Sequence, residues 1–211
     1  MMIRINIAFF FEDIGHENFV QGLVKRLLRE KAQGKIEVYG DNLSSRGGSI
    51  IRTNFIEFMK SSSEGRAGQY DLVLVVHDAN CHTVPKVKNE FISIARRFNY
   101  PNEDIVFAIP DPYIERWYLA DPKGFAKGIK GKKVPALPGY FHDKSQRHYY
   151  KDRLVEALRA NLIGSSIGGA EFGFDIAQEI DIKKAGKVDP NFAKFIADFN
   201  GCLKRKYPPL R

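Results

Sequence analysis

Two cysteines, Cys81 and Cys202, are all that 211 residues carry. That is too few for a disulfide framework, and free thiols suit a reducing compartment. No apolar run approaches the roughly 18 residues that span a bilayer. The N-terminal stretch Ile3 to Phe11 runs straight into Glu12-Asp13, unlike a cleavable leader. A cytoplasmic protein with no membrane partner is therefore expected. Internal repeats and low-complexity tracts are also missing, which removes solenoids and flexible linkers. The second half is poor in negative charge. Residues 123–153 hold 9 Lys or Arg against 2 acids and 183–211 hold 8 against 2, whereas 1–122 hold 15 against 16. Carboxylates thus lead and a surface suited to a polyanion follows; lysines serving solubility alone fit the same counts.

A hydrophobic content of 44% supplies a proper core. Ile3–Phe11 is an almost unbroken apolar run, as a strand covered on both faces requires. Phe19, Val20, Leu23, Val24, Leu27 and Leu28 then recur at helical spacing. A short strand over 35–39, a helix over 50–59, a strand over 71–77, a helix over 84–98 opened by Pro85 and a strand over 104–109 complete a β-α-β-α-β-α-β order. Such alternation predicts an α/β fold, a mainly parallel sheet flanked by helices. In Pro110-Asp111-Pro112, Asp111 is placed to cap a helix and Pro112 to open it, with Ile114, Trp117, Tyr118 and Leu119 as its buried stripe. The Lys-, Gly- and Pro-rich stretch 123–139 reads as a basic loop outside the core and marks a boundary between 1–122 and a basic, mainly helical 123–211. Helices are expected over 149–162, 171–180 and 190–203.

Open parallel sheets gather chemistry at the carboxyl ends of their strands. Two of these strands end on acids, one at Glu12 and one at Asp78, followed by Asn80. Paired carboxylates there make a hard oxygen site for Mg²⁺ or Mn²⁺. Each residue also has an ordinary reading: Glu12 as a helix N-terminal acid, Asp78 and Asn80 as turn formers, Glu115 as a first-turn acid offsetting the helix dipole. Glu115 stands between buried residues, which would hold it rigidly. His77, Cys81 and His82 match no usual structural zinc spacing. The loop around Arg46 is neither a Walker A loop nor a GxGxxG fingerprint; it suits a phosphate cradle or a plain surface loop. Lys144, Arg147, Tyr150 and Lys151 interleave charge with aromatics, which fits phosphate contact plus base stacking; the alternative is a solvated helix start whose tyrosines pack inward.

The segments Phe11-Glu12, His77-Asp78-Ala79-Asn80 and Ile109-Pro110-Asp111-Pro112-Tyr113-Ile114-Glu115-Arg116-Trp117-Tyr118-Leu119, with Tyr150-Lys151 and Asp189-Pro190-Asn191-Phe192, resemble a family of prokaryotic Toprim-like proteins related to OLD-type nucleases and linked to phage defence. The resemblance covers most of the chain in short motifs. It implies a Toprim-like domain over 1–122 and a metal-dependent nuclease site in which Glu12 is acid/base or ligand and Asp78 binds metal. The family pattern has Asp-x-Asp, but here Asn80 replaces the second acid and brings an oxygen without charge. Glu115 would restore that charge. Asp13 stands where relatives commonly carry Gly, as an extra ligand or a helix cap.

The expected function is a metal-dependent phosphodiesterase acting on DNA or RNA. Glu12, Asp78, Asn80 and Glu115 are the candidate ligands, Lys151 assists catalysis, and Arg46, Lys144, Arg147, Tyr150 and Lys151 contact the polymer. The rival is a non-catalytic module that binds nucleic acid or a partner ATPase, and a weaker third reading is an enzyme of small phosphate esters.

Overall fold

The computed structural model describes residues 3–32, 36–43, 48–140 and 148–208. Strands β1 (Ile3–Phe11), β2 (Ile36–Asn42), β3 (Leu72–Val76) and β4 (Ile105–Ala108) alternate with helices α1 (Ile14–Ala32), α2 (Gly48–Ser63) and α3 (Val84–Arg97). The four strands pair in the order β2-β1-β3-β4, and every pair is parallel. The fold is α/β and Rossmann-like. After β4 come α4 (Ile114–Tyr118), α5 (Pro122–Gly128), α6 (Tyr149–Ala160), α7 (Gly173–Glu179), α8 (Ile182–Val188) and α9 (Pro190–Lys206).

Side chains alternate across a strand, and both faces of this sheet are covered. Ile5, Ile7, Phe9 and Phe11 of β1 join Leu72, Leu74 and Val76 of β3 on one side; Ala8, Phe10, Val73 and Val75 point to the other. That explains why β1 is apolar nearly throughout rather than at every second position. On the second face, Ile51, Phe55 and Met59 of α2 meet Val87 and Phe91 of α3, with Phe55 edge-on to both Phe10 and Phe91. On the first face, α1 shares one core with the helices after β4. Trp117 stacks on Phe195 and meets Phe192 edge-on, so α9 is keyed to α4 by aromatic packing. Each such ring stabilises the fold by about 1.5–3 kcal/mol through burial.

Two sequence expectations need correction. The stretch after 122 is not all loop: Pro122–Gly128 is helical, and Phe125 is fully buried. Lysines every few residues mask the short apolar stripe, and Gly128 hides a close approach: a Cβ there would lie 2.5 Å from the Ile176 Cα of α7. Asp111 does not cap α4 either. The Asp111–Pro112 peptide bond is cis, Tyr113 occupies the cap position, and Asp111 accepts a hydrogen bond from the Tyr140 hydroxyl at 3.0 Å. The expected stripe of Ile114, Trp117, Tyr118 and Leu119 is buried throughout.

No helix among the described residues is long and apolar enough to cross a membrane.

Candidate metal centre

The chain leaves β1 toward β2 on one side of the sheet, while β3 pairs on the other side of β1. The gap between the carboxyl ends of β1 and β3 is therefore the point where strand order reverses, the place at which open α/β sheets bind ligands. Glu12 and Asp78 stand on its two sides. The Glu12 N–H continues the ladder to the Val76 carbonyl at 3.1 Å, and the Asp78 N–H donates to Glu12 Oε2 at 2.8 Å.

Beyond Val76 the chain is tied to the segment after β4. The N–H groups of His77, Ala79 and Asn80 donate to the carbonyls of Ala108, Pro110 and Pro112. Asn80 and Cys81 then adopt left-handed conformations, φ 50° and 59°. Asn80 consequently reaches the site through a turn and not by strand alternation. Its amide nitrogen faces Glu12 Oε1 at 3.3 Å, so a metal held by Glu12 would meet the Asn80 oxygen only after the amide turned over.

Asp13 is the cap of α1. Its Oδ1 accepts from the Gly15 and His16 N–H groups at 2.8 and 3.0 Å. That oxygen also lies 2.8 Å from His16 Nδ1, while His16 Nε2 lies 2.9 Å from Asp78 Oδ1. The fully buried imidazole thus bridges an acid at the start of α1 and an acid at the end of β3. Burial alone would drive off the second ring proton, yet Asp78 and Asp13 reverse that effect and raise the His16 pKa well above its ordinary value. Burial likewise raises the Asp78 carboxyl, with Glu12 and Glu115 adding repulsion and His16 opposing it. Partial burial of Asp13 is outweighed by the His16 hydrogen bonds and charge, which hold its carboxyl well below the usual carboxylate range.

Glu12, His16 and Asp78 offer ligand atoms that all lie within 4.8 Å of one another, so this buried group could hold a metal ion. His16, rather than the expected Glu115, is the third member. Glu115 sits in the first turn of α4, on the wall of an adjoining cavity of about 200 Å³ that it shares with Asp13, Tyr118 and Lys151. Burial raises its pKa, with Asp13 adding to the shift and His16 and Lys151 opposing it. Lys151 is exposed at the start of α6.

Tyr150 needs correction as a base-stacking residue. It is fully buried, its hydroxyl donates to the Gly139 carbonyl at 3.0 Å, and it lies 3.4 Å from Arg116 Nη1. Arg116 in turn pairs with Asp189, Nε to Oδ2 at 2.6 Å. The Tyr150 and Asp189 motifs therefore meet in one buried polar clamp. Arg46, Lys144 and Arg147 lie outside the described residues.

His16 carried one signal in the sequence. It stands at the third helical position behind a capping Asp, where a side chain leans back toward the cap.

No family model, curated protein or solved structure matches the chain.

Proposed function

We propose that the protein is a Toprim-like, metal-dependent phosphodiesterase acting on nucleic acid, with Glu12 and Asp78 as the carboxylates that hold Mg²⁺ or Mn²⁺. The observation that carries this reading is the meeting of Glu12, His16 and Asp78 at the reversal point of a parallel sheet. The donor set suits a divalent cation: two carboxylates and an imidazole nitrogen on adjoining backbone segments. Such an ion supplies polarisation of the scissile phosphate and a lowered pKa for the attacking water. Glu12, the least buried of the three, would take up the proton of that water on the carboxylate oxygen not engaged by the ion, and the ester oxygen, as its bond to phosphorus breaks, would take a proton from solvent. Lys151, across the neighbouring cavity, offsets charge building on the phosphate oxygens.

One observation favours the non-catalytic alternative, a module that binds nucleic acid or a partner ATPase. Glu12 already accepts from the Asp78 backbone and from Asn80, so the site is hydrogen-bonded within itself. Labelled single- and double-stranded DNA and RNA, incubated with Mg²⁺, with Mn²⁺ and with chelator, separate the two. Cleavage that needs the cation and falls at least a hundredfold in Glu12→Ala and Asp78→Ala is expected. Cleavage surviving both substitutions sinks the site, and binding without turnover on any polymer favours the module.

A further inference from the structure

We infer that His16 is a direct ligand of this centre and that the centre consequently selects Mn²⁺ and the later first-row divalent ions over Mg²⁺. The inference rests on the metal reading above and deepens it, because paired carboxylates alone would not discriminate in this way.

The geometry around the ring is that of a ligand. His16 Nε2 and Asp78 Oδ1 are 2.9 Å apart. Two adjacent ligands of an octahedral ion, each about 2.1 Å from it, stand roughly 3.0 Å apart. The atom pair that shares a proton is thus already spaced to share a cation.

The far side of the ring carries the second requirement. Histidines that bind metals usually donate their other nitrogen to a carboxylate, which sets the tautomer and the ring plane. Asp13 Oδ1, 2.8 Å from His16 Nδ1, is that accepting carboxylate oxygen here, and it is itself held by the Gly15 and His16 N–H groups. A ring with no exposed surface, held at Nδ1, has its Nε2 committed to the side of Asp78 and Glu12.

Selectivity follows from the donors. Mg²⁺ keeps its waters and takes oxygen ligands, whereas imidazole favours the first-row transition ions. A set of one nitrogen and two carboxylates therefore ranks Mn²⁺ above Mg²⁺.

Electron paramagnetic resonance of the Mn²⁺-loaded protein, using electron spin-echo modulation to detect ¹⁴N, tests this without reference to turnover. The expected result is coupling to one imidazole nitrogen, Mn²⁺ displaced by Mg²⁺ only at more than tenfold excess, and loss of both properties in His16→Gln. Asp13→Asn should weaken Mn²⁺ binding about 10–100-fold while the coupling persists. His77 supplies the control, since its Nδ1 lies 3.4 Å from Glu12 Oε2; His77→Gln should keep the coupling.

Bound Mn²⁺ without ¹⁴N coupling in the wild-type protein overturns the inference, whatever the variants do, and so does coupling lost in His77→Gln but kept in His16→Gln. Parity of Mg²⁺ and Mn²⁺ overturns it as well. Coupled Mn²⁺ on a protein that cleaves no polymer upholds His16 as a ligand and sinks the phosphodiesterase reading alone. Failure to bind Mn²⁺ at millimolar concentration sinks both.

Discussion

Asn80 shows how one side chain decides the balance between a self-satisfied site and one that recruits a cation. Its amide donates to Glu12 Oε1 and, more weakly, to the Asp78 carbonyl. Asn80→Asp would keep the backbone, because Asp tolerates the left-handed conformation nearly as well as Asn. It would, however, turn a donor facing Glu12 into a like charge. In chelator the variant should lose about 1 kcal/mol of stability, seen as a lower midpoint in urea at unchanged slope. Added Mn²⁺ should restore the loss and bind more tightly than to the wild-type chain, since a third carboxylate then faces the ion. A midpoint unmoved in chelator would mean that the Asn80–Glu12 hydrogen bond contributes nothing.

Among the elements, α9 depends most visibly on a single acid far from the centre. Asp189 Oδ1 caps the helix by accepting from the Asn191 and Phe192 N–H groups, and Oδ2 pairs with Arg116 in a buried ion pair. Asp189→Ala leaves that guanidinium without its counter-charge and should cost about 3–5 kcal/mol. Asp189→Asn keeps a capping oxygen and should recover roughly 1 kcal/mol of that. Equal losses in the two variants, measured by urea unfolding, would show that the cap contributes nothing. This clamp also marks how far the sequence could be read. The strands, α1, α3 and α9 were legible because burial on both sheet faces leaves continuous apolar runs and buried helix faces leave stripes at helical spacing, and the ends of β1 and β3 announced Glu12 and Asp78. Four features were not legible. The short helices α5 and α8 hide among lysines. Tyr150 looks like a stacking residue until the partner that buries its hydroxyl, Gly139, is seen. His16 acquires its role only because β3 pairs beside β1 and brings Asp78 against it, a long-range meeting that spacing along the chain does not express.

The charge asymmetry of the whole molecule has a spatial form. The two basic stretches after residue 122 meet: Lys123 and Lys127 of the α5 region and Lys183 and Lys184 of α8 line one cleft of about 700 Å³ with Arg26 and Lys31 from α1, and these six cations outnumber the four acids of its wall, Glu30, Asp121, Glu179 and Asp181. Arg26 is engaged with Glu30 and with the carbonyls of Ala177 and Ile180, and Lys184 lies 3.6 Å from Asp181. Among the described residues, no ion pair engages Lys123, Lys127 or Lys183. His16 lies near the start of α1 and Lys31 near its end, roughly 22 Å apart at 1.5 Å per residue. On the proposed reading, a polymer bound at the centre would be long enough to reach this cleft, whereas a small phosphate ester would not. If the polymer does so, Lys183→Glu combined with Lys184→Glu should weaken nucleic-acid binding and flatten its salt dependence, by about 0.9 in slope for each phosphate of duplex DNA that is no longer neutralised. Mn²⁺ affinity should stay at the wild-type value, because neither lysine approaches Glu12, His16 or Asp78. An unchanged affinity and slope in the double variant would remove the cleft from the path of the polymer and leave its lysines as solvated charge.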